Sequence, residues 1–326
     1  MPKIATAKWT HKHLLGLQGL SAEEIKTVLD TADEFFPYCT GRRPAPRVLE
    51  GRSVLNLFCE DSTRTRTSFT LAAERLGARV VQFHAATSSL NKRESLADTV
   101  RNIDAMGLDA IVIRHQERGA PERVAESVGC SVLNAGDNAH EHPTQGLLDM
   151  LAIRRRLGRV EGLTLALVGD VRHSRVARSN LFGLSKFGNR VVFVGPPAFI
   201  NDLDLEVETT TDFDAILPKC DVIMMLRIQF ERHESVAFDM DAYIRGYQLT
   251  PARLARARPG ALVLHPGPVN RGIEMTDEVA DGPQSVILYQ ATCGVAVRMA
   301  ALNLCIAALD RERACDGGKP PKGKRR

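Results

Sequence analysis

The sequence has little that would brace a chain from outside its own core. Its seven cysteines (39, 59, 130, 220, 293, 305 and 315) are odd in number and scattered, with no C-x-x-C pair. That argues against a disulfide framework and against a structural zinc site. No apolar run approaches the length needed to cross a bilayer, and Met1 to Thr10 lacks the apolar centre of a secretory signal. A reducing cytoplasm is therefore expected, and no membrane. The G-x-G-x-x-G fingerprint of a dinucleotide site is missing. Positive charge is also scarcer than the total of +4 implies. Lys319, Lys322, Lys324, Arg325 and Arg326 all follow the last acid, Asp316, so the rest of the chain is close to −1. Residues 311–326 read as a basic disordered tail marked by Gly317-Gly318 and Pro320-Pro321. The globular body carries no nucleic-acid signature.

What is present is a regular alternation. At 326 residues the chain suits two domains, each able to bury its own core. Ser21-Ala22-Glu23-Glu24 is a capping box, with a helix face behind it that ends at Pro37. Strands are expected at 53–58, 79–83, 109–114, 131–134, 163–168, 190–194, 221–226 and 261–264. Helices are expected after Ser62 and at 95–106, 121–128, 144–157, 174–186, 212–217, 251–257 and 292–309. Strand followed by helix throughout implies an α/β protein with two domains, each a parallel sheet flanked by helices. Residues 158–162 look like the hinge between the halves.

The chain is organised around Cys59-Glu60-Asp61-Ser62-Thr63-Arg64-Thr65-Arg66-Thr67-Ser68-Phe69, which follows the apolar strand 53–58. Ser62 to Thr65 thus stand where a strand hands over to a helix, the edge at which open α/β sheets bind ligands. A helix start offers free N–H groups and a positive dipole end. Hydroxyls and guanidiniums added there make an anion cradle without glycine. Other polar stretches end on the same kind of edge. Arg114 closes a strand, where its fork of donors suits an oxyanion. His140-Glu141-His142-Pro143-Thr144-Gln145 ends another; two histidines around a carboxylate also admit a metal site. In the second half Arg172, Arg175 and Arg178 gather at a helix start, an arrangement that suits a carboxylate. Arg227 and Gln229 follow the strand 221–226, and His265-Pro266-Gly267-Pro268 forms a turn after 261–264. Thr87 to Ser95 is a polar loop containing Ser89, Lys92 and Arg93.

Ser-Thr-Arg-Thr-Arg-x-Ser-Phe after a sheet strand resembles the carbamoyl-phosphate signature of the aspartate and ornithine carbamoyltransferases. His-Pro-x-Gln at 142–145, Arg-x-Gln at 227–229 and His-Pro-Gly-Pro at 265–268 follow in that family's order, from about residue 10 to 310. The resemblance implies a carbamoyl-phosphate-binding domain over 1–150 and an aspartate-binding domain over 151–291. The last helix, about 292–310, would pack back on the first domain. It implies that Ser62, Thr63, Arg64, Thr65, Ser89, Arg114, His142, Gln145, Gly267 and Pro268 bind carbamoyl phosphate. Lys92, Arg175, Arg227 and Gln229 would bind aspartate, and Arg64, Thr65, Lys92, Arg114 and His142 would be catalytic. Glu60, Glu231 and Arg232 would order the closed arrangement of the domains. The family's loop glycine is Arg93 here. No metal or organic cofactor is implied. Lys92 would reach into a neighbour's site, so a homotrimer with shared active sites is implied, with a larger assembly containing regulatory or dihydroorotase chains as an extension. The ornithine motifs S-M-G and H-C-L-P are missing, and two arginines fit two carboxylates but repel an ammonium. The aspartate branch is the reading this supports; an ornithine-type enzyme and a non-catalytic scaffold subunit are the alternatives.

Overall fold

The computed structural model describes residues 8–84, 94–229 and 239–315. Of these, the residues up to Thr144 and from Thr292 onward form one compact unit, and Gln145–Ala291 form the other.

In the first unit α1 (Ala22–Phe35) opens on the expected capping box. The Ser21 hydroxyl accepts from the Glu24 amide, and the Ser21 amide donates to the Glu24 carboxylate at 2.7 Å. The helix does not simply stop before Pro37. It tightens into a 3₁₀ turn, Phe36–Tyr38, where proline sits at the start and its missing N–H costs nothing. Then come β1 (Ser53–Phe58), α2 (Thr63–Arg75), β2 (Arg79–His84), α3 (Leu96–Asp104), β3 (Ala110–His115), α4 (Ala120–Ser127) and β4 (Ser131–Asp137), after which α5 (Pro143–Leu157) carries the chain into the second unit. The four strands are parallel in the order β2-β1-β3-β4. Leu55, Leu57, Ile111, Ile113 and Val132 bury one face of the sheet against Val100 and Val124.

The N-terminal stretch seals the β4 edge. The Leu14 amide donates to the Val132 carbonyl, and the Asn134 amide to the Leu14 carbonyl, both at 2.9 Å. Between them the Val132 amide donates to His13 Nδ1 at 3.0 Å. Burial, helped by Lys12 and opposed by Glu312, pushes the His13 imidazole from 6.5 down to about 4. Between those pH values the unfolded chain binds the extra proton, so stability rises with pH across the window. It is lost as pH falls from about 6.5 towards about 4. His13→Gln keeps an acceptor for Val132 and does not titrate. Its urea midpoint should depend less on pH in that window than the native protein's, and equal slopes would clear His13 of the effect.

The second unit contains β5 (Thr164–Val168), α6 (Arg175–Ser185), β6 (Arg190–Val194), α7 (Pro197–Ile200), β7 (Glu208–Thr210), α8 (Phe213–Ile216), β8 (Val222–Met225), α9 (Met240–Tyr247), α10 (Pro251–Leu254), β9 (Leu262–Leu264) and α11 (Asp277–Ala280). Its five strands are parallel in the order β7-β6-β5-β8-β9. Each sheet therefore reverses its strand order once, between β1 and β3 in one unit and between β5 and β8 in the other. A crevice opens at such a reversal, beyond the carboxyl ends of the strands.

The last described element is α12 (Ile287–Cys315), which starts five residues earlier than the pattern predicts and runs on through 311–315, residues that the sequence assigned to a disordered tail. It corrects the expectation about apolar runs, because it contains a stretch of mean hydropathy 1.7 that is long enough to span a bilayer. That stretch is 89% buried within the protein, so core packing accounts for its composition. Beyond Thr292 it packs on the first unit. The Arg298 guanidinium lies 5.1 Å from the centre of the Phe69 ring on α2, and Arg52 bridges Asp109 and Asp310, at 2.9 Å each.

Candidate active site

Several of the predicted residues stand at the two strand-order reversals, and others follow the edge strands β4 and β9. In the first unit Phe58 pairs with Arg114 across β1 and β3, and the Cys59 amide donates to the Arg114 carbonyl at 2.9 Å. The segment leaving β1 therefore starts beside the end of β3. Ser62 occupies the N-cap position of α2 in extended backbone, with its hydroxyl not engaged in capping. Thr63 and Arg64 follow, exposed, while Thr65 is buried. Ser68 turns its hydroxyl back to the Arg64 and Thr65 carbonyls and so secures the first turn. Arg66, the second guanidinium of the stretch, lies 5.3 Å from the centre of the Phe58 ring, so it packs on the strand that precedes the helix. Arg114 Nε donates to Glu60 Oε2 at 3.0 Å; both side chains are about 15% exposed.

His142 is buried at the mouth of α5, after β4. What fixes the turn before it is Asp137, whose carboxylate accepts from the Asn134 side chain, the Gly119 amide, the Glu141 amide and His140 Nδ1. That hydrogen bond raises the His140 pKa, against the effect of burial. Glu141 points the other way. Its carboxylate accepts from the Leu17 and Gln18 amides at 2.8 and 3.2 Å, and a methyl at Gly16 would stand 2.3 Å from its Oε1. The two acids thus tie the His142 loop to β4 and to the N-terminal stretch. Among the described residues no cluster of three His, Cys, Asp or Glu side chains assembles at metal-binding distance. Ser89, Lys92 and Arg93 lie outside the described residues, as do Glu231 and Arg232.

In the second unit the segment after β5 meets the segment after β8. Gly169 permits this approach: its φ is +122°, and a Cβ there would come within 2.9 Å of the Leu226 carbonyl. Asp170 receives the His173 ring, Ser174 caps α6 through the Ala177 amide, and Arg175 is the helix's first residue. Arg178 is drawn off to Asp204. Gln229 Nε2 donates to the His173 carbonyl at 2.8 Å, which draws the Arg227–Gln229 strand end against the turn that carries Arg175. Ile228, between them, gives its amide to the buried Glu274 at 2.9 Å. Glu274 also accepts from the Asn270 amide and side chain and from His265 Nε2, while His265 Nδ1 accepts from the Gly267 amide. That histidine therefore uses both ring nitrogens to shape the 265–268 turn. Gln145 opens this unit, on α5, and donates to Asp149.

Two family models match in tandem and cover most of the chain. The carbamoyl-phosphate-binding domain of the aspartate/ornithine carbamoyltransferases matches residues 12–155, and their aspartate/ornithine-binding domain matches 161–305. This chain belongs to the aspartate/ornithine carbamoyltransferase family. Its relatives in that family include the aspartate carbamoyltransferase catalytic subunit of Gluconobacter oxydans, 52% identical over 90% of this chain and 95% of that protein. Aspartate transcarbamoylase from Trypanosoma cruzi, solved with carbamoyl phosphate and aspartate, superposes with a TM-score of 0.82 at 32% identity, covering 91% of this chain and 98% of that one. Ornithine carbamoyltransferase from Pyrococcus furiosus superposes as well, with a TM-score of 0.83 at 29% identity over 91% and 97% of the two chains. The carbamoyltransferase fold alone does not separate the two branches. Sequence similarity does: the 52% identical relative is an aspartate carbamoyltransferase catalytic subunit.

Proposed function

We propose that the chain transfers the carbamoyl group of carbamoyl phosphate to the α-amine of L-aspartate, giving N-carbamoyl-L-aspartate and phosphate in pyrimidine synthesis. The observation that carries the choice of acceptor is the approach of Arg175 and Arg227 to one strand-order reversal through the Gln229–His173 hydrogen bond. A dicarboxylate is complementary to two guanidiniums there.

The aspartate amine attacks the carbonyl carbon directly, and no side-chain nucleophile is used. Arg64, Arg114, Thr65 and His142 stabilise the oxyanion that forms, and Ser62, Thr63, Arg64, Thr65 and Arg114 hold the phosphate as it leaves. Gln145 and the turn at Gly267 and Pro268 receive the carbamoyl nitrogen. Arg175 binds the α-carboxylate, and Arg227 with Gln229 the side-chain carboxylate. Rate enhancement comes from orienting two bound substrates in line. Ser89 and Lys92 enter from a neighbouring chain of a cytoplasmic homotrimer, and a particle with the mass of one chain would refute that assembly.

The test of the reaction is direct. The purified chain, with a chelator present, should form carbamoyl-aspartate from carbamoyl phosphate and aspartate. Preference for ornithine would overturn the assignment of the acceptor. Activity lost to the chelator and restored by zinc would revive a metal role for His140 and His142.

A further inference from the structure

Asp149 lies fully buried on α5, one turn after Gln145. Three side-chain carboxamides converge on its carboxylate. Gln145 Nε2 donates to Oδ1 at 2.9 Å, Gln290 Nε2 to the same oxygen at 2.7 Å, and Asn180 Nδ2 to Oδ2 at 2.8 Å. Which way a carboxamide faces is ordinarily ambiguous. Here two of the three are fixed by a second hydrogen bond. Gln290 Oε1 accepts from the His265 backbone amide at 3.0 Å, so its nitrogen must face Asp149. Asn180 Nδ2 also donates to the Val176 carbonyl at 3.0 Å, so it too turns nitrogen inward. Asp149 thus meets N–H groups with both oxygens, as an acceptor-only carboxylate does. The third carboxamide must obey the same rule. Gln145 turns its nitrogen to Asp149, and its carbonyl oxygen faces the opposite way.

We infer that Asp149 is a positioning residue that makes the site select a carbamoyl group over an isosteric acetyl group. The inference rests on the assignment of Gln145 to the carbamoyl nitrogen. A carbamoyl group presents an N–H₂ donor where an acetyl group presents a methyl. With its oxygen turned outward, Gln145 accepts from that donor; turned round, it would set one N–H₂ against another. The same carboxylate acts on the second acceptor. Through Gln290 it fixes the His265 backbone, and His265 Nδ1 receives the Gly267 amide at 2.7 Å, at the turn that carries Gly267 and Pro268. One buried acid, within one unit, thereby aligns two sets of acceptors for a single N–H₂ group.

The test compares Asp149→Ala, which leaves room for water beside the three amides, with Asp149→Leu, which fills it. Calorimetric binding of carbamoyl phosphate and of acetyl phosphate is the readout, since it needs no turnover. Releasing Gln145 restores the freedom of one rotamer-rich side chain, which corresponds to a loss of up to about tenfold. Carbamoyl phosphate should weaken by about that factor while acetyl phosphate stays within about twofold, so the ratio between them falls about tenfold. A folded variant with an unchanged ratio, or with both ligands weakened alike, overturns the inference. If neither variant folds, Asp149 is a folding residue only and the inference fails. A native protein that binds both phosphates but makes no carbamoyl-aspartate would count against the proposed reaction and leave the selectivity result standing.

Discussion

Arg114→Ala should lower kcat/KM for carbamoyl phosphate by about 10²–10³, the usual cost of removing one donor aimed at a developing oxyanion. The loss has two sources that one variant does not separate. On the proposed assignment Arg114 gives a guanidinium to the anion, and it also pairs with Glu60, whose carboxylate lies 3.0 Å from its Nε with little exposure. Without Arg114, the little-exposed Glu60 carboxylate loses that charged hydrogen-bond partner. Leaving it so should cost about 2 kcal/mol of stability. The double variant Glu60→Gln/Arg114→Ala separates the two. Neutralising Glu60 should restore most of the lost thermal stability, because the stranded charge is gone. Activity should remain near that of Arg114→Ala, because the oxyanion donor is still missing. Activity recovering in step with stability would show that Arg114 serves the fold and not the chemistry.

The strand-to-helix turn proposed as an anion cradle was legible in the sequence because everything that makes it is local. An apolar strand, a hydroxyl at the hand-over and an arginine one turn in are consecutive residues, and the hydrogen bonds of Ser68 stay within that turn. The residues that hold the cradle's partners in place leave no such mark. Asp149 sits at an ordinary position on α5, and the Gln290 that meets it is 141 residues away. Glu274 lies in an irregular stretch and reaches Ile228 across 46 positions. Glu141 was visible only as a carboxylate between two histidines, a pattern that also reads as a metal site. Its partners, the Leu17 and Gln18 amides, have no side-chain signature at all. Small elements were missed for a related reason. β7 is three residues with no buried position, so it carries neither an apolar run nor an alternation. α7 and α11 are single turns of four residues, too short for helical spacing to show. Arg66 shares the same short stretch of sequence, but helical geometry turns it onto Phe58.

Arg227→Ala should reduce kcat/KM for aspartate by roughly 10²-fold while carbamoyl phosphate binding stays within about twofold. The size follows from a buried charged hydrogen bond, worth roughly 2–5 kcal/mol when its partner is left unpaired. The low end applies because Arg227 is only half-buried before substrate arrives. The selectivity of the loss follows from the backbone. Leu226 gives its amide to the Val168 carbonyl, Ile228 gives its amide to Glu274, and Gln229 reaches the His173 carbonyl. None of these bonds involves the Arg227 side chain, so all three remain after its truncation. Arg175 keeps its place at the start of α6 and, on the proposed assignment, still holds an α-carboxylate. The variant should therefore lose most of its preference for aspartate over alanine as the acceptor amine, because the two differ by the carboxylate proposed to bind Arg227. Competition between the two amino acids at fixed carbamoyl phosphate measures that preference. An Arg227→Ala protein that stays folded and keeps the native preference would mean that the side-chain carboxylate binds elsewhere, and the pairing of two arginines with two carboxylates would fall with it.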